Sequence, residues 1–323
     1  MEKIEKIYFE TFGLLINIGD SILKLNPIIS RKGFKFIKLT LKEFEKDFIE
    51  LLGLPRNYAS NIMFKLGNPE QLVTKEFYNA MSYRNYFNNI FTSELGFIYL
   101  LKSTKKGFFI KKGKYLNPTE NSTGLSKMDR FTKDLVSQLR LLNPMYIDYQ
   151  CIFNKSIKSN QIIGTLNRNV LKKFEESLYE IKDEDLKIIS KLIRNPSLHK
   201  SCEIALESYE LSLNINNPKV KFMILMMGLE SLFNLGKDQI RHTLARHLSI
   251  LLSDTKKQFQ DNYKLFKKLY DIRSEIAHGT NPKRLGEEIN ELSEWTRLAI
   301  NKVDKLKMTK EELFEFLNQK GFK

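Results

Sequence analysis

One segment near the end of the chain, Tyr270–Gly279, combines residue types that can act on a phosphate group. The guanidinium of Arg273 can hold a phosphate through two hydrogen bonds, and the imidazole of His278 can accept and return protons near neutral pH. A fixed cation beside a proton carrier suits metal-free cleavage of RNA, in which the 2′-hydroxyl of the substrate is the nucleophile. Arg273 and His278 are therefore a candidate catalytic pair.

The spacing of these two residues limits how they can work together. Five positions along an α-helix separate two side chains by about 140°, so both reach one phosphate only if the helix ends at His278. Gly279 permits that ending, because glycine tolerates the backbone conformation of a helix terminus. The spacing also fits purely structural roles, since an arginine near a helix end often forms a salt bridge and a histidine before glycine often caps the helix.

Other catalytic templates are absent from the sequence. Gly107–Lys114 resembles a phosphate-binding loop only superficially, because its glycines are one residue too far apart and Tyr115 stands where a serine or threonine would bind magnesium. The four histidines form no two-histidine helical metal motif, and neither a Gly-x-Ser-x-Gly elbow nor a glycine-rich dinucleotide turn occurs. We therefore expect no metal and no cofactor.

Glu230 is a second residue of interest, because it interrupts an otherwise apolar stretch. Burying a carboxylate costs several kcal/mol unless a cation or hydrogen-bond donors satisfy it. The structural interpretation is an internal ion pair with Arg246 or Arg241 on the next predicted helix. The functional interpretation is that Glu230 orients Arg273.

The C-terminal part is predicted to consist of helices. Asn217 and Pro218 suit an N-cap and a first helical position, and Thr309 with Glu312 has the pattern of a capping box. The stretch after Pro218 is apolar almost all round, which predicts a helix buried on most of its faces. The predicted helices are Ser201–Leu213, Lys219–Phe233, Asp238–Ser253, Lys256–His278, Leu285–Leu306 and Thr309–Asn318.

The N-terminal part has the pattern of a mixed α/β domain. Gly96–Leu101 and Gly107–Ile110 are predicted strands around a lysine-rich turn, and a hairpin is the expected arrangement. The pattern changes to helices near residues 185–195. We therefore expect an α+β protein, with a mixed α/β domain over residues 1–190 and an all-α helical bundle over residues 191–323. The other predicted elements are helices at Thr40–Leu52 and Ser126–Leu142 and a strand at Met145–Phe153.

Composition excludes several classes of protein. A chain with 42% hydrophobic and 28% charged residues is folded, and its two cysteines, Cys151 and Cys202, exclude a disulfide framework. No apolar run approaches the roughly 18 residues of a membrane-spanning helix, so we expect a cytoplasmic protein that does not enter the membrane. The net charge of +15 suggests a polyanionic partner, although lysine pairs spread along a chain are also typical of a solvated surface.

Three motifs together resemble the HEPN superfamily (higher eukaryotes and prokaryotes nucleotide-binding), and specifically its Apea-like branch. They are Tyr270–Gly279 with its Arg-x₄-His pattern, the preceding Gly228–Phe233, and Leu244–Leu248. The resemblance covers about a fifth of the chain, from Pro218 to Pro282. It implies an all-α domain that forms a homodimer, in which two Arg/His pairs build one composite site.

The resemblance further implies a metal-independent endoribonuclease that acts as a toxin or in defence against phage. Arg273 and His278 would be the catalytic pair, with Ser274, Glu230 and Arg246 in supporting positions. His278 would transfer protons and Arg273 would stabilise charge on phosphorus, which leaves 2′,3′-cyclic phosphate and 5′-hydroxyl ends.

Two other hypotheses stay open at this stage. The first is a catalytically inactive HEPN module that binds RNA or forms dimers, and the second is a sensor scaffold. The N-terminal domain could then sense a trigger or position the substrate. The expected partners are RNA, a second copy of the chain, and a phage or host trigger or an antitoxin.

Overall fold

The computed structural model of this protein is α+β, as the sequence predicts. It describes residues 4–48, 97–112, 115–117, 124–167, 178–194, 198–233, 240–280 and 285–320. The chain divides into two compact units. The first comprises the described residues of Met1–Arg140, Met145–Val170 and Phe174–Asn195, and the second those of Leu141–Pro144 and Pro196–Lys323. Residue 190, where the sequence analysis divides the chain, falls inside a helix of the first unit.

An antiparallel sheet forms the framework of the first unit. Its strands among the described residues are β1 (Ile4–Ile16), β2 (Phe34–Thr40), β3 (Phe97–Ser103), β4 (Gly107–Lys112), β5 (Tyr115–Asn117), β6 (Asp148–Ser156) and β7 (Ile162–Asn167). The long strand β1 lies at the centre, with β3 and β4 along one edge and β6 along the other. The sheet is completed by β2 beside β3, β5 beside β4 and β7 beside β6.

The hairpin predicted for β3 and β4 is wrong. Both strands pair with β1, Phe12 with Lys102 in β3 and Phe9 with Gly107 in β4, so they follow each other along the same edge. The reason is the length of β1, whose 13 residues offer backbone partners to two short strands in succession.

Helices cover parts of both faces of the sheet. On one face, Phe12 and Leu14 of β1 pack with Phe44 and Phe48 in one hydrophobic cluster. On the opposite face, the helix that begins at Gly124 lies close to the sheet, since a Cβ added at this glycine would lie 2.8 Å from Thr11. The α-helices of this unit are α1 (Asn26–Ile29), α2 (Leu41–Phe48), α3 (Gly124–Leu142) and α4 (Asp185–Arg194). The predictions of α2, α3 and β6 are confirmed in type, with shifted bounds. The last residues of the predicted helix at Thr40–Leu52 lie outside the described residues.

Every element described after residue 198 is helical. The α-helices are α5 (Glu203–Leu213), α6 (Pro218–Phe233), α7 (Ile240–Leu252), α8 (Lys256–Ala277), α9 (Gly286–Leu306) and α10 (Lys310–Gln319). Asn217 caps α6 through Oδ1, which accepts from Lys219 N at 3.0 Å, and the capping box of Thr309 and Glu312 is present. One apolar core joins these helices. None of the described helices combines the length and apolar character that crossing a membrane requires.

Helix α6 differs from its prediction on one face. Phe222, Leu225 and Leu229 are buried, but Val220 and Met227 are 45% and 57% exposed. The sequence of α6 is apolar on every side, but one side of the helix is exposed because the neighbouring helices cover only part of its surface.

Candidate functional site

The candidate site lies at the C-terminal end of α8, and this end has a defined backbone geometry. His278 is the C-cap, and Gly279 follows in the left-handed region with φ +83°. The N–H of Thr280 donates to Glu275 O at 2.9 Å and the N–H of Gly279 donates to Ile276 O at 3.1 Å. These two bonds form a Schellman motif, which uses carbonyls that the end of the helix would otherwise leave free. The helix therefore ends at the position the sequence predicts.

Arg273 lies one turn before this end and contacts α6. Its Nε is 3.2 Å from Oε1 of Glu230, so the two side chains form an ion pair, although the atoms lack the alignment of a hydrogen bond. The guanidinium carbon lies 5.7 Å from the ring centroid of Tyr270. The side chains of Arg273 and Glu230 are 29% and 17% exposed, so the pair is open to solvent on one side.

The structural prediction for Glu230 is wrong, because neither Arg246 nor Arg241 pairs with it. Arg241 pairs with Asp271 at 2.5 Å, and Arg246 donates to the backbone oxygens of the last turn of α10. A long cationic side chain satisfies free carbonyls at a helix C-terminus, and this use competes with a carboxylate. The alternative interpretation, in which Glu230 contacts Arg273, agrees with the geometry.

Burial governs the electrostatics of Glu230. Desolvation raises the pKa of this carboxyl above its usual value, and the nearby charge of Arg273 opposes the increase without cancelling it. The charge of Arg273 therefore offsets only part of the cost of burying the carboxylate of Glu230. The Nη groups of Arg273 make no hydrogen bond to a described residue, so they can donate to an anionic ligand.

Among the described residues, His278 and Arg273 of one chain share no direct side-chain contact of the hydrogen-bond or ion-pair kind. His278 is exposed, and no hydrogen bond or ion pair joins its side chain to Arg273 or Ser274 among the described residues. The backbone N–H of His278 donates to Ser274 O, and Ser274 itself is half-buried. Glu275 is exposed, so its negative charge lies in solvent.

A hydrogen-bonded pair between α7 and the first half of α8 was missed at the level of sequence. His242 Nδ1 lies 2.6 Å from the hydroxyl of Tyr263, and Lys267 Nζ lies 5.4 Å from the ring centroid of that tyrosine. The sequence alone shows that Tyr263 and Lys267, four residues apart, share one face of α8. The proximity of His242 depends on how α7 packs against α8, which the sequence does not show.

His247 occupies an interior position rather than the site. It is 1% exposed, and Nε2 lies 2.9 Å from Oδ1 of Asn318. Burial lowers its pKa, and the hydrogen bond to Asn318 opposes that decrease. Among the described residues, no group of three or more His, Cys, Asp or Glu side chains could hold a metal ion.

Comparison with known proteins adds no assignment, since the chain matches no protein-family model, no curated protein and no solved structure. The HEPN resemblance consequently stays a prediction from the three motifs. The site is defined by its own residues: Arg273 held by Glu230, and His278 at the exposed end of the same helix.

Proposed function

We propose that this protein is a metal-independent endoribonuclease of the HEPN type, acting as a toxin or an anti-phage effector. The observation that supports this proposal most directly is the position of Arg273. Its Nε faces Glu230, its Nη groups make no hydrogen bond among the described residues, and His278 lies at the exposed end of the same helix.

Each residue of the pair has a definite role in this reaction. His278 accepts the proton of the 2′-hydroxyl, whose oxygen attacks the adjacent phosphorus, or returns a proton to the departing 5′-oxygen. The Nη groups of Arg273 bind the non-bridging oxygens, where negative charge increases in the transition state. Water is not consumed in this step, so the products carry a 2′,3′-cyclic phosphate and a 5′-hydroxyl.

The proposed active form is a homodimer through the helical unit. Because about 140° separates the directions of Arg273 and His278 on an ideal helix, pairing Arg273 of one chain with His278 of a second copy solves the geometric problem. Apolar side chains that such a dimer could cover are Ile204 and Leu211 on α5 and Val220 and Met227 on α6, all at least 45% exposed. The spacing of seven residues within each helix places both members of each pair on one face.

Cleavage of total RNA and transfer RNA by the purified protein in excess EDTA tests this proposal. We expect His278→Ala and Arg273→Ala to lose about 100-fold or more of the cleavage rate, and the wild-type products to end in cyclic phosphate. Arg241→Ala is the matched control, since it removes an exposed arginine of the neighbouring helix that pairs with Asp271. Circular dichroism shows whether each variant is folded.

Mixing the two inactive variants tests the composite site. A mixed dimer contains one intact combination if Arg273 and His278 act across the interface, so the mixture regains part of the activity. Cleavage that persists in both folded variants, or that requires a divalent metal, would contradict the proposed mechanism.

A second candidate function is a non-catalytic module that binds RNA or forms dimers. The contact between Arg273 and Glu230 favours it, because an arginine already paired with a carboxylate can serve structure alone. RNA binding or dimer formation without any cleavage by wild-type protein would support this alternative.

A further inference from the structure

One face of α8 joins His278, at the end of the helix, to two lysines in its first half. Eleven positions separate Lys267 from His278. On an ideal helix they amount to about three turns and 20°, so both side chains project from one face, about 16 Å apart along the axis. Lys264 is exposed and projects about 40° from the direction of His278. This face of α8 therefore differs from the one that carries Arg273.

The start of α7 adds a histidine to this face of α8. Nδ1 of His242 lies 2.6 Å from the hydroxyl of Tyr263, a residue four positions before Lys267. The imidazole centroid of His242 lies 5.7 Å from the ring centroid of Tyr263, and Nζ of Lys267 lies 5.4 Å from the same centroid. His242 is exposed, and the other two residues are partly exposed. We call His242, Tyr263 and Lys267 the α7–α8 cluster.

The hydrogen bond to Tyr263 fixes what the other ring nitrogen of His242 can do. A phenol is a better donor than acceptor, and a neutral imidazole accepts only through its unprotonated nitrogen, so Tyr263 donates to Nδ1. Nε2 then carries a hydrogen, as it also does when the imidazole is protonated. Nε2 makes no hydrogen bond to a described residue. His242 therefore offers an N–H donor to a ligand.

The charges on this face favour an anionic ligand. Neither Lys264 nor Lys267 forms an ion pair within the described residues. Two acids lie between Lys267 and the end of the helix, Asp271 and Glu275. Asp271 is neutralised by Arg241 at 2.5 Å, and Glu275 is exposed. Two unpaired lysines of the described part of this face thus outweigh one unpaired acid, so the face attracts anions.

We propose that the α7–α8 cluster is a subsite for the phosphates of an RNA strand that runs along α8 from His278 to Lys267. The ammonium of Lys267 and the N–H at Nε2 of His242 bind phosphate oxygens there. The distance of about 16 Å corresponds to at most about five nucleotides, because stacked nucleotides are spaced by about 3.4 Å.

The subsite selects substrates by length. Contacts with phosphates position a strand without reading its bases, so the α7–α8 cluster favours RNA that extends several nucleotides from the cleavage site, whatever its sequence. The choice of RNA as the ligand rests on the proposed function.

The affinity of the full-length protein for a labelled single-stranded RNA of about 12 nucleotides tests the subsite, in the His278→Ala background so that the RNA stays intact. We expect Lys267→Gln and His242→Phe each to weaken binding about fivefold or more, because each removes a donor to phosphate. Tyr263→Phe should have a smaller effect, since it removes only the hydroxyl that holds Nδ1 as an acceptor. Lys305→Gln, at an exposed lysine of α9, is the matched control and should bind like its parent.

Salt dependence distinguishes a phosphate contact from a structural effect. Binding should weaken as salt increases, and Lys267→Gln should lower the slope of log K against log salt by about 0.7, the value for one contact with a single strand. Circular dichroism shows whether each variant is folded. Unchanged affinity and slope in folded Lys267→Gln would overturn the proposal. An equal loss in Lys305→Gln would also overturn it, because overall charge would then explain the binding.

Cleavage kinetics separate binding from chemistry. In the presence of His278, Lys267→Gln should raise the KM for the 12-nucleotide RNA and change kcat by less than about twofold. Shortening the substrate to about four nucleotides should raise KM more in wild type than in Lys267→Gln, because the variant has already lost the subsite. A fall in kcat at unchanged KM, or an equal rise of KM in both proteins, would overturn the path along α8.

The binding result is independent of catalysis. RNA binding that depends on Lys267 and His242, without cleavage by the wild type, contradicts the nuclease alone. Cleavage that depends on His278, with a KM that neither Lys267→Gln nor His242→Phe changes, contradicts the subsite alone.

Discussion

Two arginine–carboxylate pairs, one in each unit, have similar local contacts but different surroundings. Arg140 and Arg273 each lie 5.7 Å from the ring centroid of a tyrosine, Tyr146 and Tyr270 respectively. Arg140 pairs with Asp148 at 2.8 Å, and these side chains are 5% and 3% exposed. The pair of Arg273 is longer, at 3.2 Å, and several times more exposed.

Hydrogen bonds distinguish the two pairs further. Nε of Arg140 donates to Ile147 O at 2.8 Å, and Asp148 accepts from the backbone N–H of Tyr149 at 2.8 Å. Nε of Arg273, by contrast, makes no aligned hydrogen bond within the described residues. A fully buried pair with further hydrogen bonds stabilises a fold, whereas a partly exposed arginine whose Nη groups make no hydrogen bond within the described residues can bind a ligand. The comparison therefore separates a structural arginine from a candidate functional one.

The largest expected effect is on the buried pair. Asp148→Asn keeps the shape of the side chain but leaves the charge of Arg140 unpaired, so the free energy of unfolding should fall by about 3–5 kcal/mol. Chemical denaturation of wild type and variant measures this difference. A loss below about 1 kcal/mol would show that the buried pair is no more important to stability than an exposed one.

A smaller effect is expected at His247, in the core of the second unit. Because burial lowers its pKa below 6.5, the folded protein binds fewer protons there than the unfolded chain does. The stability associated with neutral His247 is present above pH 6.5 and is lost as the pH falls below it. His247→Gln should remove this pH dependence in urea denaturation between about pH 7.5 and pH 5.5. An identical pH profile in the variant would show that His247 does not contribute.

The contact between Arg273 and Tyr270 should contribute less. A cation near an aromatic ring at a partly exposed position stabilises by about 0.5–1 kcal/mol. A double-mutant cycle with Tyr270→Leu and Arg273→Met isolates this interaction from the packing of each side chain. A coupling energy indistinguishable from zero would mean that Tyr270 does not hold Arg273 in place.

The smallest expected effect on stability is that of Glu230→Gln. The raised pKa of Glu230 means that the folded protein binds a proton there more readily than the unfolded chain, so stability falls as the pH rises above about 4.5. Glutamine resembles the protonated carboxyl, so the variant should be as stable as wild type at neutral pH, or more stable. RNA cleavage should nevertheless decrease, because Arg273 loses the carboxylate that positions it. A large loss of stability would instead make this pair structural, like that of Arg140.

The sequence predicted local features of the fold well where short-range chemistry decides them. The caps by Asn217 and Thr309 and the helix end at Gly279 follow from hydrogen bonds between residues a few positions apart. The pairing of β3 and β4 was predicted incorrectly, because the strand that competes for their backbone groups lies about 90 residues earlier in the chain.

The candidate site divides in the same way. The sequence by itself determined that Arg273 and His278 share one helix end and that Glu230 needs a cation, because residue type and helical spacing fix both statements. Only the tertiary structure decided which cation Glu230 contacts. Arg246 instead binds the free carbonyls at the end of α10, and Arg241 binds Asp271. The choice among three arginines depends on how the helices pack, since packing sets which charges come within a few ångströms of each other.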